Sequence, residues 1–234
     1  MIKYRIFLVV RMIKLENTSV MNFENAIRGA RNPMNSWDKL DSSFDANGNF
    51  VFGPNDLSLG RKLCKAGSDH RKFVRQIFIS VDITAPIYWW KEFDTYKVGT
   101  ASNSCSTMHK IDAYPFTIDM FSCEEMTNKS LDALKVTIEA LNEYRDEYNR
   151  VKDDTTDEGK AYAKKIWAQL IQLLPSSFNQ KRTVDFTYEV ATNIYTWRHN
   201  HKLVEWRILC NVLANLPYGR DIIIPTMLQR NNGN

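Results

Sequence analysis

Residues 74–93 read V-R-Q-I-F-I-S-V-D-I-T-A-P-I-Y-W-W-K-E-F, and this stretch decides the fold class. Apolar and polar residues alternate from Val74 to Thr84 with several β-branched side chains, which predicts a strand. Pro86 suits the first turn of a helix, and the residues up to Phe93 supply its aromatic side chains. The stretch therefore predicts a strand that passes directly into a helix.

The rest of the chain predicts many helices and few strands. Alternation over residues 3–12 indicates a first strand, and residues 183–188 read as extended. Asp56 and Gly67 are expected to cap a helix at its start and end. The fold class is α+β and helix-rich, because the βαβ rhythm of a parallel sheet is absent. Helices are predicted at residues 22–31, 55–67, 87–93, 188–197 and 201–215, with a helical hairpin over residues 125–175.

Length and composition predict a single folded domain over residues 1–230, in a chain of 234 residues that is 44% hydrophobic. Its polar loop, residues 32–56, carries aromatic side chains that are expected to pack against this domain. No apolar run is long enough to cross a membrane, so a cytoplasmic protein is expected.

Charge and motifs exclude several function classes. The net charge of +4 comes from dispersed residues, which argues against a nucleic-acid partner. No glycine-rich phosphate loop follows a strand, and neither H-E-x-x-H nor G-x-S-x-G occurs. The four cysteines form no C-x-x-C pair and are expected to be reduced thiols. No metal site is predicted.

The loop of residues 93–109 is the first of three segments that suit an anionic ligand. It collects hydroxyl side chains with Lys97, Asn103 and His109. Hydroxyls and backbone N–H groups can bind a phosphate there, with Lys97 as the counter-charge. The alternative is a turn whose side chains bond the local backbone.

The other two segments contain clustered basic residues. In residues 67–73, His70 and Arg71 either contact an anionic ligand or form a solvated basic cap at a helix end. In residues 193–206, Arg198 can bind a phosphate through its planar fork of N–H groups. Trp197 and Trp206, in the same segment, are expected to lie in the core.

The segments follow one order along the chain. Gly67 precedes the strand from Val74; Ser102, Asn103 and Ser106 lie in the next loop; Arg198, His201 and Trp206 come late. This order resembles the flavin-dependent thymidylate synthases, the thymidylate synthase complementing protein family. That family has a G-H-x-S-x-x-E-H segment, an R-H-R-x-x-S-x-N-x-x-S-x-R loop, and a late Arg, His and Trp.

The resemblance implies an α+β domain with a small curved antiparallel sheet. It also implies a homotetramer whose sites are shared between subunits, with Tyr88, Trp89 and Trp90 as candidates for the interface. FAD would be the cofactor, with NADPH and methylenetetrahydrofolate as co-substrates. The nucleotide-binding residues it implies, replacements included, are Lys97, Ser102, Asn103, Ser104, Ser106, His109 and Arg198. The corresponding flavin-binding residues are His70, Arg71, Asn193 and His201.

The implied function is the reductive methylation of dUMP, or of a related pyrimidine nucleotide, by a divergent member of the family. The chain departs from the signature, because residues 94–96 or 97–99 stand where the family has R-H-R. Met108 stands in place of the last signature Arg. The alternatives are a catalytically inactive nucleotide-binding or scaffold protein of the same fold, and an enzyme with an altered pyrimidine substrate.

Overall fold

The computed structural model describes residues 2–3, 8–10 and 12–224. The strand predicted over residues 3–12 lies partly outside these ranges. The strands are β1 Ile2–Lys3, β2 Leu8–Val10, β3 Ile13–Met21, β4 Ser43–Phe44, β5 Phe50–Val51, β6 Phe78–Pro86, β7 Thr100–Ser104 and β8 Asn179–Thr187. The α-helices are α1 Phe23–Ala30, α2 Pro54–Ala66, α3 Ile87–Phe93, α4 Asn128–Val151, α5 Asp157–Leu173, α6 Tyr188–Arg198, α7 Val204–Ala214 and α8 Gly219–Ile222.

One antiparallel sheet organises the molecule. Its strands run in the order β1-β3-β6-β8-β7, and β2 pairs with β3 beside this path. The central pair, β6 and β8, is in register from Phe78 opposite Thr187 to Pro86 opposite Asn179. β4 and β5 form a separate small hairpin. The α+β, helix-rich fold with a small antiparallel sheet is confirmed.

The two faces of the sheet differ because side chains alternate along each strand. Ile79, Val81 and Ile83 of β6 are buried with Val184 and Phe186 of β8. The opposite face is polar and includes an ion pair between Lys181 and Asp82 at 3.1 Å. The apolar face therefore carries the main core.

Helix α3 lies within this core, as a Pro-initiated helix that directly follows a central strand. Trp89 and Trp90 are fully buried, and the indole N–H of Trp90 donates to the carbonyl of Gln180 at 2.9 Å. The prediction that Trp89 and Trp90 form a subunit interface is therefore wrong. Tyr88, the third residue of that prediction, is only partly buried.

The helical hairpin predicted over residues 125–175 is present as α4 and α5, which contact each other. Leu134 and Leu141 of α4 and Leu170 of α5 are buried in a second hydrophobic cluster. Phe116 and Phe121, from the segment before α4, complete its apolar centre. The hairpin thus helps to bury Ile111, Phe116 and Phe121 of the segment that follows β7.

The loop of residues 32–56 packs down only in part. Phe50 and Phe52 are buried, and both rings contact Phe23 of α1. Trp37 and Phe44 are exposed, although the Phe44 ring still contacts that of Phe50, so the predicted packing of this loop is confirmed only in part. The buried aromatic residues are the two at the end of the loop, in β5 and just before α2.

Asp56 does not cap α2, because the helix already begins at Pro54. Its carboxylate is instead buried in the first helical turn, where the Arg31 guanidinium donates to it at 2.7 Å. Gly67 ends this helix as predicted, with a φ of 104° that favours glycine.

The starts of two further predicted elements need correction, and two strands were not expected. The strand predicted from Val74 begins at Phe78, because residues 72–76 form a 3-10 turn. The helix predicted from residue 201 begins at Val204. The sequence pattern predicts neither β3 nor β7 as a strand. In β3 the pairing register shifts between Glu16 and Ser19, where Asn17 has a φ of 52°. β7 has no large apolar residue, so it shows no apolar alternation. Trp197 is exposed on α6 rather than buried.

Candidate functional site

The loop after α3, predicted as a phosphate site, is partly a strand. β7 pairs with β8 at the edge of the sheet and leaves the side chains of Ser102, Asn103 and Ser104 exposed. Lys97 lies in the turn before this strand, and His109 in the turn after it, both exposed. These residues share one stretch of surface chain, and they stay predictions as nucleotide ligands.

Ser106 begins the turn that follows β7. Its Oγ accepts the backbone N–H groups of Met108 at 3.2 Å and His109 at 3.1 Å. This is the local side-chain-to-backbone bonding of the alternative interpretation. The hydroxyl proton of Ser106 has no acceptor among the described residues, so it is free to donate to a ligand.

A cavity of about 640 Å³ lies beside Ser106. It is bounded by the segment that follows β7 and by the first residues of β8, and we call it the loop pocket. Its apolar wall includes Phe116 and Phe178, and Tyr114 is exposed at its edge. Its polar lining residues are Thr84, Cys105, Ser106, Thr107, Lys110, Asn179, Gln180 and Lys181.

Three of these polar groups suit a ligand. The side-chain oxygen of Asn179 is buried, and no donor reaches it in the part of the chain that the structure describes. Lys110 is exposed and forms no salt bridge within the described residues, although its charge helps to lower the pKa of Asp112. Lys181 is already engaged: its hydrogen bond to Asp82 raises the pKa of its ammonium group and keeps it charged. The loop pocket therefore offers an unpaired acceptor, a free hydroxyl donor and an exposed cation that forms no salt bridge within the described residues.

Arg198 is the centre of a separate cluster at the end of α6. Its Nη1 donates to Glu92 at 2.8 Å, and its Nε donates to the Tyr96 hydroxyl at 3.1 Å. Its guanidinium lies 4.7 Å from the ring centre of Trp206. His201 joins this cluster, with its Nε2 3.6 Å from the Glu92 carboxylate. Because protein groups surround Arg198, it ties α6 to α3 and α7, and neither Arg198 nor His201 lines the loop pocket.

The other residues predicted to bind flavin lie near the start of α6. Arg71 donates to both oxygens of Glu189, at 2.9 and 3.2 Å. Asn193 is exposed one turn further along the same helix, and His70 is exposed next to Arg71. The structure thus brings three of the four predicted residues close together, with His201 beyond the other end of α6.

FAD carries a diphosphate, which cationic side chains, backbone N–H groups and helix N-termini can all bind. Of the four residues implied for flavin, Arg71 is the one arginine, and both oxygens of Glu189 already accept its N–H groups. Arg71 is therefore engaged within the described part of one chain, and the four residues stay predictions as flavin ligands.

Sequence reasoning missed three residues of the loop pocket. Lys110 and Tyr114 directly follow the Ser- and Thr-rich loop, so extending that segment by a few residues would have included them. Asn179 had no such signal. It reaches the pocket because β8 returns beside this loop, where the Cys105 N–H donates to the Lys181 carbonyl at 2.9 Å.

The described residues include no helix that is long and apolar enough to cross a membrane. They also include no group of three His, Cys, Asp or Glu residues that would hold a metal ion. Both findings concern residues 2–3, 8–10 and 12–224.

No protein-family model matches the chain, and no curated protein matches it significantly. Solved structures do. Thymidylate synthase X (ThyX) from Helicobacter pylori, crystallised with FAD and dUMP, aligns over 88% of this chain and 94% of its own, with a TM-score of 0.60 and 13% identity. A second structure of the flavin-dependent thymidylate synthase ThyX from this organism, complexed with FAD and dUMP, aligns with a TM-score of 0.59 over 88% and 95%, again at 13% identity. At this identity the likeness shows a shared fold.

Proposed function

We propose that this chain binds a pyrimidine nucleotide in the loop pocket. The observation that carries the proposal is the buried, unpaired side-chain oxygen of Asn179, a residue that lines a cavity of about 640 Å³. A buried acceptor without a donor is costly, and a ligand N–H would remove that cost. A uracil ring carries such an N–H at N3. Its carbonyl groups would meet water or the second N–H of the Gln180 amide, whose first N–H already donates to the Cys105 carbonyl.

The rest of the pocket suits the rest of a nucleotide. Phe116 and Phe178 line its apolar wall and Tyr114 stands at its edge, so an aromatic face is available for base stacking. The free hydroxyl of Ser106 and the ammonium of Lys110 are a donor and a cation for the phosphate. The fold supports the same ligand class, because the structures that share it were crystallised with dUMP.

The second candidate function is thymidylate synthase-like: reductive methylation of dUMP with FAD, methylenetetrahydrofolate and NADPH. The fold shared over 88% of the chain with a structure that contains FAD and dUMP favours it. FAD would supply the reducing equivalents when bound. The pairing of Arg71 with Glu189 and of Arg198 with Glu92 argues against this candidate in a single chain, and an oligomer that shares its sites, such as the homotetramer implied by the resemblance, can supply further cations.

Replacing Lys110 with alanine is expected to weaken dUMP binding by about ten- to hundredfold, since a charge-assisted contact to phosphate contributes roughly 1.5–3 kcal/mol. Isothermal titration of the purified chain with dUMP measures this. Lys129→Ala is the matched control, because Lys129 is equally exposed but lies on α4, outside the pocket. Equal dUMP affinities of the Lys110 and Lys129 variants would show that the phosphate does not bind in the loop pocket.

The same titration with Arg198→Lys tests the other location. This variant keeps the positive charge but loses the planar fork that contacts Glu92 and Tyr96. We expect its dUMP affinity to equal that of the original chain. If affinity falls here and not in Lys110→Ala, the nucleotide binds at the Arg198 cluster, as the resemblance implies.

The chain is expected to lose flavin when it is incubated with FAD and passed through a gel-filtration column, because Arg71, the one arginine among the residues implied for flavin, is already paired with Glu189. The visible absorption spectrum of the eluted protein checks this, with circular dichroism to show that it is folded. A retained flavin band, perturbed by added dUMP, would contradict the expectation and favour the methylation reaction.

A further inference from the structure

A groove of about 490 Å³ lies where the end of α1 meets α2 and the residues that follow α2. Its lining comes from residues 29–34, from α2 and from residues 69–76. We call it the basic groove, because of the charged residues around it. It has no lining residue in common with the loop pocket, so it is separate from the proposed nucleotide site.

The wall of the basic groove is largely apolar. Phe73 is buried and belongs to the main core, whereas Met34 is 82% exposed. A methionine side chain is flexible and adapts to ligands of different shapes. A ligand that covers Met34 removes apolar surface from water, which is favourable. The apolar lining residues are Ala30, Pro33, Met34, Leu59, Leu63 and Phe73.

Residues 61–75 carry the excess positive charge of the chain. They include six Lys or Arg residues and one acidic residue, Asp69, so their net charge is +5, whereas that of the whole chain is +4. The basic residues as such are dispersed along the sequence, but their excess over acidic residues lies in this segment. The segment supplies the end of α2 and the residues beside the groove.

Four of these six cations are not neutralised within the described residues. Arg61 pairs with Asp221, and Arg71 pairs with Glu189. The other four are exposed and form no salt bridge in the part of the chain that the structure describes. They are Lys62, Lys65, Lys72 and Arg75.

Two polar side chains of the lining suit an anionic group. Lys72 lines the groove and brings a cation to it, and the exposed Gln76 amide can add N–H donors. Lys62 and Arg75 are each next in sequence to a lining residue. An anion in the groove would therefore form a charge-assisted contact in a positive electrostatic field.

We propose that the basic groove binds a fatty acid, a single hydrocarbon chain that ends in a carboxylate. The chain would lie against Met34 and the other apolar lining residues, and the carboxylate would contact Lys72 and the Gln76 amide. Charge complementarity favours this ligand over a neutral or cationic amphiphile of the same length. The cavity is a groove, so it accepts one chain rather than the surface of a membrane.

Asp69 and His70 also line the groove. Asp69 would repel a carboxylate, but the four unpaired cations outnumber it. It forms no salt bridge with Lys72 among the described residues, so Lys72 is available to the ligand. His70 is one of the residues that the resemblance implies for flavin, and competition with FAD separates the two ligands.

Isothermal titration of the full chain with decanoate, below the concentration at which it forms micelles, tests the proposal. Decyltrimethylammonium carries the same chain with the opposite charge, and acetate carries the carboxylate without the chain. Saturable heat is expected for decanoate alone. No saturable heat with decanoate, or equal binding of either control ligand, would overturn the proposal.

Two further arms exclude other occupants. Decanoate affinity is expected to stay the same when FAD is added, and displacement by FAD would assign the groove to flavin instead. The chain is expected not to sediment with phosphatidylglycerol vesicles. Sedimentation with the vesicles, without binding of decanoate, would assign the surface to a membrane and contradict the fatty-acid site.

Lys72→Glu is expected to weaken decanoate binding at least about tenfold, because it replaces a charge-assisted contact by a repulsion. Lys129→Glu makes the same change of charge at an exposed position on α4, outside the groove, and should bind decanoate as the original chain does. Both variants should keep the original affinity for dUMP. Unchanged decanoate binding in Lys72→Glu would refute the proposed contact.

Met34→Ser tests the contact with the hydrocarbon chain at a position too exposed to affect folding. It is expected to weaken decanoate binding by about three- to tenfold, since it removes apolar surface that the ligand would cover. Val136→Ser, on α4 and 65% exposed, is the matched control and should have no effect. Equal affinities of the two variants would place the chain outside the groove.

Asp69→Asn provides a test in the opposite direction. Removing this exposed negative charge is expected to tighten decanoate binding by about two- to fivefold, in the range of exposed charge interactions. Unchanged or weaker binding in this variant would count against a carboxylate in the basic groove.

Discussion

Trp206→Ala is expected to lower the free energy of unfolding by about 3–5 kcal/mol. Trp206 is 0% exposed, and its ring lies 4.7 Å from that of Trp89. Its indole N–H donates to Glu92 at 2.9 Å, and the Arg198 guanidinium covers its face. Truncation leaves a large cavity and removes a donor from a carboxylate that also holds Arg198. Urea unfolding followed by circular dichroism measures the change.

Trp197→Ala is the matched control, because it removes the same side chain from a position that is 75% exposed. Its effect should stay within about 0.5 kcal/mol, as is usual for surface substitutions. Similar losses in the two variants would mean that Trp197 is covered in solution, for example by another copy of the chain.

Arg31→Ala is expected to destabilise the chain by about 3–5 kcal/mol, because it leaves the Asp56 carboxylate buried without its cation. Arg31 and Asp56 are 4% and 0% exposed. The pair joins the end of α1 to the first turn of α2 across the long loop. Arg28→Ala, at an exposed position of α1, is the control and should change the free energy of unfolding by less than about 0.5 kcal/mol. An equally small change in Arg31→Ala would mean that water hydrates Asp56.

The pH dependence of stability gives an independent measure of this pair. Burial by itself raises the pKa of Asp56, but hydrogen bonds from Ser42, Arg31 and the backbone outweigh it and lower the pKa below its ordinary value of 3.8. A carboxyl with a lowered folded-state pKa stabilises the protein above that ordinary value, and the contribution is lost as the pH falls through the folded-state pKa. The difference in unfolding free energy between the original chain and Asp56→Asn should therefore shrink only in strong acid.

The sequence predicts the helices and central strands well because their apolar residues recur at a regular spacing. The alternation around Ile79 and Val81 identifies β6, and Pro86 marks the start of α3. Trp197 shows the limit of such reasoning. Nothing in the local sequence separates it from Trp206, because only the packing of α6 on the sheet and α7 decides which indole is covered.

The candidate site was predictable only where it is continuous in sequence. The Ser- and Thr-rich loop points to Ser106, and the loop pocket lies there. Asn179 depends on the pairing of β7 with β8, which joins residues far apart in the chain. The ion pair between Arg71 and Glu189 depends in the same way on the position of α6. The sequence shows the basic residues around Arg71, and only the fold shows that Glu189 neutralises Arg71.

β7 forms an edge of the sheet, and the described residues place no strand on its outer side. An open edge is a template on which another chain can add a strand, which is a common route to aggregation. Thr100–Ser104 reads T-A-S-N-S, without the large apolar side chains that favour the addition of another strand. β7 consists of small and mostly polar residues, which is why the sequence pattern does not identify it as a strand. The same composition disfavours association of folded chains through this edge of the sheet.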